Sequence, residues 1–170
     1  MSARTTDRET VVRWQDPATG LAQMPTMSGL DFIKKIAAGE LPGAPMASHL
    51  NMTITEVEHG SVTFQGTPDE SHYNPIGMVH GGYVCTLLDS ALGCALHTTL
   101  PAGIGYTSID INTNFLRPVT VDSAPLSCTG RVVKAGRRVG FAEGEVLDAA
   151  GKVVATASSS LLIFPMESAG

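Results

Sequence analysis

The chain has 170 residues, 43% hydrophobic and only 16% charged, with a formal net charge of −5. That length fits one domain with a substantial core, and the acidic balance excludes a general nucleic-acid binder. Cys85, Cys94 and Cys128 lack metal-ligand spacing and predict reduced thiols in a cytoplasmic protein.

The N-terminal stretch is polar and has no secretory apolar core. Residues 1 to about 26 read as loosely structured. Ser28 is a suitable N-cap for a helix over 29–38, ended by Gly39 and Pro42. Residues 41–45 read as a linker. From Met52 the pattern has period two, with Met52, Ile54 and Glu56 alternating with Thr53, Thr55 and Val57. A turn at His59-Gly60 and a returning strand over 62–65 complete a hairpin. A loop over 66–77 carries polar side chains into the next element, an arrangement typical of sites.

That element begins at His80-Gly81-Gly82 and continues as a helix of about 17 residues. Val84, Leu87, Leu88, Ala91, Leu92, Ala95 and Leu96 recur at i, i+3, i+4 and predict a buried central helix. Asp89 and His97 interrupt its apolar run, so a membrane span is not expected. After Pro101 and Gly103, strands are predicted over 106–117, 124–135, 139–148 and 153–164. Small residues on these strands (Ala142, Gly144, Ala155, Ala157, Ser159) suit a helix lying close against a curved sheet. Two strands, a helix and four meandering strands make an α+β domain with an antiparallel sheet.

Two features of the central helix point to chemistry. Asp89 is a carboxylate in an apolar run, which is costly if buried without a partner and is the sort of local violation expected at a functional site. An exposed Asp beside Ser90 and Thr86 is the alternative. At the helix start, Gly81 and Gly82 let a ligand approach the backbone, where unpartnered N–H groups and the macrodipole favour a developing oxyanion. A plain tight turn would use the same glycines. Gly81 and Asp89 are eight residues, roughly 12 Å, apart along one helix. To act on one carbonyl they must come from two antiparallel copies, which predicts an obligate homodimer with two equivalent interface sites.

The spacing Asn74-x5-His80-Gly81-Gly82-x6-Asp89, continued through Ser108-Ile109-Asp110-Ile111-Asn112 and Asn114-Phe115-Leu116-Arg117-Pro118, resembles the hotdog-fold acyl-CoA thioesterases of the PaaI type, within the 4-hydroxybenzoyl-CoA thioesterase-like group. The resemblance covers roughly residues 46–164. It implies a hotdog domain over 46–166, a curved antiparallel sheet wrapped around the helix at about 81–97, preceded by an N-terminal extension over 1–45 that can cover part of the substrate groove. It implies hydrolysis of an aromatic or medium-chain acyl-CoA at the dimer interface, in a homodimer or dimer of dimers. In that reading Gly81 N–H donates to the thioester oxygen, and the partner subunit's Asp89 is general base or nucleophile. Asn74 positions the water or carbonyl, His80 braces the loop, and Ser108, with Thr107 beside it, orients the water. Gly82, Arg117, Arg137 and Arg138 are the candidates for binding coenzyme A, with a solvated turn as the alternative for the last two. No metal or cofactor is expected: coenzyme A belongs to the substrate, and neither HExxH, a Cys/His cluster nor a GxSxG elbow occurs. A non-catalytic acyl-CoA-binding hotdog protein is the main alternative. A hotdog dehydratase would pair a catalytic His with Asp or Glu in a different arrangement.

Overall fold

A computed structural model describes residues 7–166. The central helix α4 spans Gly81–His97, and Leu87, Leu88, Ala91, Leu92, Ala95 and Leu96 on it are fully buried. Six antiparallel strands surround it: β1 (Met52–Glu58), β2 (Ser61–Gly66), β3 (Ile104–Phe115), β4 (Leu126–Ala135), β5 (Val139–Leu147) and β6 (Val153–Pro165). Their order is β1-β2-β4-β5-β6-β3. Six strands at about 4.8 Å spacing are wider than one helix of about 10 Å diameter, yet all six contact α4. The sheet therefore wraps the helix, as the sequence predicts.

Close approach of sheet to helix depends on absent side chains. A Cβ on Gly130 of β4 would lie 2.4 Å from the Ala91 carbonyl oxygen of α4. At the other end of α4, the N–H of Gly29 donates to Leu100 O at 3.0 Å. A Cβ there would fall 1.8 Å from His97 O. Gly29 opens helix α2 (Gly29–Ala37), capped by the Ser28 hydroxyl as predicted and docked on β1 and α4.

Three sequence expectations need correction. Residues before 27 are not uniformly loose. Helix α1 spans Pro17–Leu21 under an Asp16 cap, and a 3-10 turn covers Met24–Thr26. The linker over 41–45 ends in a further short helix, α3 (Pro45–His49), which packs on β1 and brings His49 against Trp14. In β1 a bulge between Ile54 and Glu56 breaks the period-two phase. Met52, Ile54 and then Val57 turn inward, and Glu56 is exposed.

His97 at the last turn of α4 is buried between Phe32 and Tyr106. Burial lowers its pKa from 6.5 to about 4. The unfolded chain therefore takes up this proton below pH 6.5 while the folded chain refuses it until about pH 4. Stability is lost as pH falls through that window, by about 3 kcal/mol at most. Thermal melts between pH 7 and 4 should show this decline, and His97→Gln should flatten it.

Candidate active site

β3 is an edge strand that runs antiparallel to α4, and its inward side chains meet the helix in sequence. A Cβ on Gly93 would come 2.6 Å from the Tyr106 hydroxyl oxygen. Ser108 Oγ donates to Asp89 Oδ1 at 2.7 Å. Cys85 Sγ faces Thr113 Oγ1 at 3.7 Å. A Cβ on Gly81 would lie 3.1 Å from the Phe115 ring. The inward positions change from even to odd between Ser108 and Ile111 because β3 carries a bulge between Ser108 and Asp110. Asp110 stabilises it, its Oδ1 accepting from Ser160 N–H and its carbonyl from Ser159 Oγ. The bulge keeps Ser108 on Asp89 while Thr113 and Phe115 still reach the helix start.

The first turn of α4 has one spare donor. The N–H of His80, the N-cap residue, donates to His72 O at 2.8 Å. The N–H of Gly82 donates to His80 Nδ1 at 2.8 Å, and that of Tyr83 to His80 O at 3.0 Å. The N–H of Gly81 has no acceptor among the described residues. It remains free for a ligand atom at the positive end of a 17-residue helix. His80 thus acts as a cap through its ring nitrogen, and it occupies the Gly82 donor in doing so.

Asp89 is exposed, and its contact with Ser108 engages only one carboxylate oxygen. Asn74 organises the preceding loop: its Oδ1 accepts from the N–H groups of Ile76 and Met78, both at 3.1 Å. Its amide nitrogen has no partner among the described residues. Cys85 is half-buried and faces β3. Arg117 donates to the Val153 carbonyl at the end of β3. Arg137 and Arg138 sit in the β4–β5 turn, next to Gly140, which packs on Leu96. They are therefore near the C-terminal end of α4, on the order of 20 Å along the helix from Gly81. Within one chain the structure joins Asp89 with Ser108 and Phe115 with Gly81, but brings neither Arg137 and Arg138 nor Asp89 to the Gly81 N–H. Phe115 and the bulge were not read from sequence. The Phe115–Gly81 contact follows only once the bulge is known, and no local sequence signal marks it.

Residues 76–155 match the model of the thioesterase superfamily. Acyl-coenzyme A thioesterase 13 of Homo sapiens is 30% identical over 105 residues, which cover 61% of this chain and 74% of that protein. The chain belongs to the thioesterase superfamily. Among solved structures, a phenylacetic acid degradation-related protein of Ralstonia eutropha superposes with a TM-score of 0.70 at 29% identity, covering 76% of this thioesterase and 98% of that chain. The PaaI protein of the E. coli phenylacetic acid degradation operon gives 0.71 at 21% identity, over 82% and 98%. The α+β hotdog architecture is therefore that of the family. The matched segment contains Gly81, Asp89 and Ser108, and Asn74 lies just before it. Among the described residues, no helix of this thioesterase is long and apolar enough to cross a membrane.

Proposed function

We propose that this thioesterase hydrolyses an aromatic or medium-chain acyl-CoA to the free acid and coenzyme A, in a homodimer whose two sites each combine Gly81 of one subunit with Asp89 of the other. Residues 46–166 form the catalytic domain in this reading and 1–45 the extension. The observation that carries it is the N–H at Gly81, without an acceptor among the described residues and set about 12 Å along α4 from a carboxylate that cannot reach it in the same chain.

The free edge of β3 supports the dimer. It is a strand of 12 residues with one side unpaired among the described residues, and exposed Ile109, Phe115 and Leu116 lie on or just beyond it. Long uncovered edges of this kind recruit a second strand. Two β3 edges paired antiparallel about a two-fold near Ile111 and Asn112 would set Ser108 beside the partner subunit's Phe115. Because Ser108 holds Asp89 and Phe115 covers Gly81, the same register carries Asp89 toward the partner subunit's Gly81. Arg137 and Arg138, distant from Gly81 in their own chain, approach the partner's site by the same antiparallel arrangement.

In the reaction, the thioester oxygen accepts from Gly81 N–H. Ser108 orients Asp89 through Oδ1, and Oδ2 takes a proton from water as the water oxygen bonds to the carbonyl carbon. The tetrahedral oxyanion is stabilised by the Gly81 donor. Its collapse breaks the C–S bond and expels the thiolate, which takes up the proton held by Asp89. Thiols are acidic enough, near pKa 8.5, to leave without a stronger acid.

Thiol release from a panel of acyl-CoAs tests this directly, and turnover of at least one is expected. Gly81→Pro removes the donor, and Gly81→Ala, which puts the same Cβ 3.1 Å from the Phe115 ring but keeps the N–H, isolates its contribution. Pro is well tolerated at the first helical position, where its missing N–H leaves the helix bonds intact. The preceding His80, at φ −61° and ψ 137°, already has the extended conformation a following proline requires. Gly81→Pro is expected to lose about 10²–10³ in kcat relative to Gly81→Ala. Wild type that binds acyl-CoA without releasing thiol would overturn the enzymatic reading.

A further inference from the structure

We propose that the cleft between α3 and the first two turns of α4 is the acyl subsite, that Met46 and Leu50 set its preference, and that it takes a neutral, apolar acyl group. The inference rests on the thioesterase reading above and names the substrate class for that site.

The cleft has a volume of about 480 Å³, with Met46 and Leu50 on one wall and Tyr73, Tyr83 and Thr86 on the others. This is within the range of small-molecule sites, roughly 300–1,000 Å³. Its inner end reaches His80 and Gly82, the residues on either side of the free Gly81 N–H. An acyl carbonyl held by that N–H can therefore send its substituent into the cleft. The cleft adjoins the flank of α4 that faces β3. Gly81, Cys85 and Asp89 face the strand, whereas Gly82, Tyr83 and Thr86 face the cleft.

Apart from the Tyr83 hydroxyl and the second ring nitrogen of His80, for which no partner is seen among the described residues, the polar groups on its walls are engaged within the chain. Tyr73 Oη accepts from Val121 N–H, and Thr86 Oγ1 donates to Gly82 O. The two ring nitrogens of His72 meet Asp69 N–H and His49 O. The Tyr83 hydroxyl is buried against Gly66. What the walls offer a ligand is thus mostly carbon. Among the described residues no Lys or Arg lines the cleft, and beside it the Asp69 carboxyl is held below its ordinary pKa by the Ser71 hydroxyl. A carboxylated acyl group would find no Lys or Arg on the described walls to pair with. An alkyl chain or a plain aromatic ring would exchange water for apolar contact.

The test compares kcat/KM for acetyl-, octanoyl-, phenylacetyl- and succinyl-CoA in wild type, Leu50→Trp and Met46→Lys, with circular dichroism to check folding. Leu50→Trp fills the cleft. It should cut octanoyl- and phenylacetyl-CoA hydrolysis about tenfold or more while leaving acetyl-CoA within about twofold. Met46→Lys, at a residue already 54% exposed, should raise the succinyl-to-octanoyl ratio by about tenfold, and it carries the test alone if Leu50→Trp does not fold. Wild-type turnover with acyl preferences unchanged in the folded variants would overturn the subsite and leave the thioesterase reading intact. Failure of wild type to release thiol from any of the four would remove both.

Discussion

Asp89→Asn is expected to lower kcat/KM by about 10²–10⁴, with no change in assembly and little change in melting temperature. Asn keeps the shape of the side chain and an oxygen for Ser108 Oγ, now 2.7 Å from Asp89 Oδ1. It removes only the capacity to accept a proton from water. Because Asp89 is exposed in the single chain, its replacement creates no cavity. Asp89→Ala should lose as much activity and, in addition, free Ser108. Single turnover in ¹⁸O-water should place the label in the product acid. Label in the Asp89 carboxylate would make it the nucleophile instead. If Asp89→Asn retains activity, the carboxylate serves only to hold β3 on α4.

Gly130→Ala should be strongly destabilising, by about 3 kcal/mol or more. The new Cβ would lie 2.4 Å from Ala91 O and 2.7 Å from Leu92 N. Those are backbone atoms of a helix held by all six strands, so no side-chain rotation relieves the clash and α4 must shift as a unit. For a chain of this size that predicts a fall in melting temperature of about 6–12 °C. Ser158→Ala, at an exposed position on β6, serves as the control and should change stability by no more than about 0.5 kcal/mol. A Gly130→Ala melt matching wild type would show that the helix–sheet contact yields at little cost.

Much of this was legible in the sequence because it depends on local pattern. The apolar run from Val84 to Leu96 marked α4 at its observed bounds, and small residues such as Ala142 and Gly144 marked the strands it touches. Asp89 was conspicuous because it breaks that run. The features that escaped depend on pairing between distant segments. The bulges in β1 and β3 shift which side chains turn inward, and the residues around Thr55 and Ile109 do not announce them. α3 is a five-residue helix after a proline-rich turn, too short for periodicity to show. Arg137 and Arg138 are coenzyme A candidates by charge, and nothing local tells whether their turn meets the helix start. The hairpin that carries them ends at the opposite end of α4.

The composite site is tested most directly by mixing Asp89→Ala and Gly81→Pro subunits, each homodimer being inactive by itself. A mixed dimer would contain one site with both Gly81 and Asp89 intact and one with neither. With random pairing, about a quarter of the wild-type activity should return. A co-expressed mixture as inactive as its two parents, with mixed dimers confirmed by differential tags, would contradict a site shared between subunits.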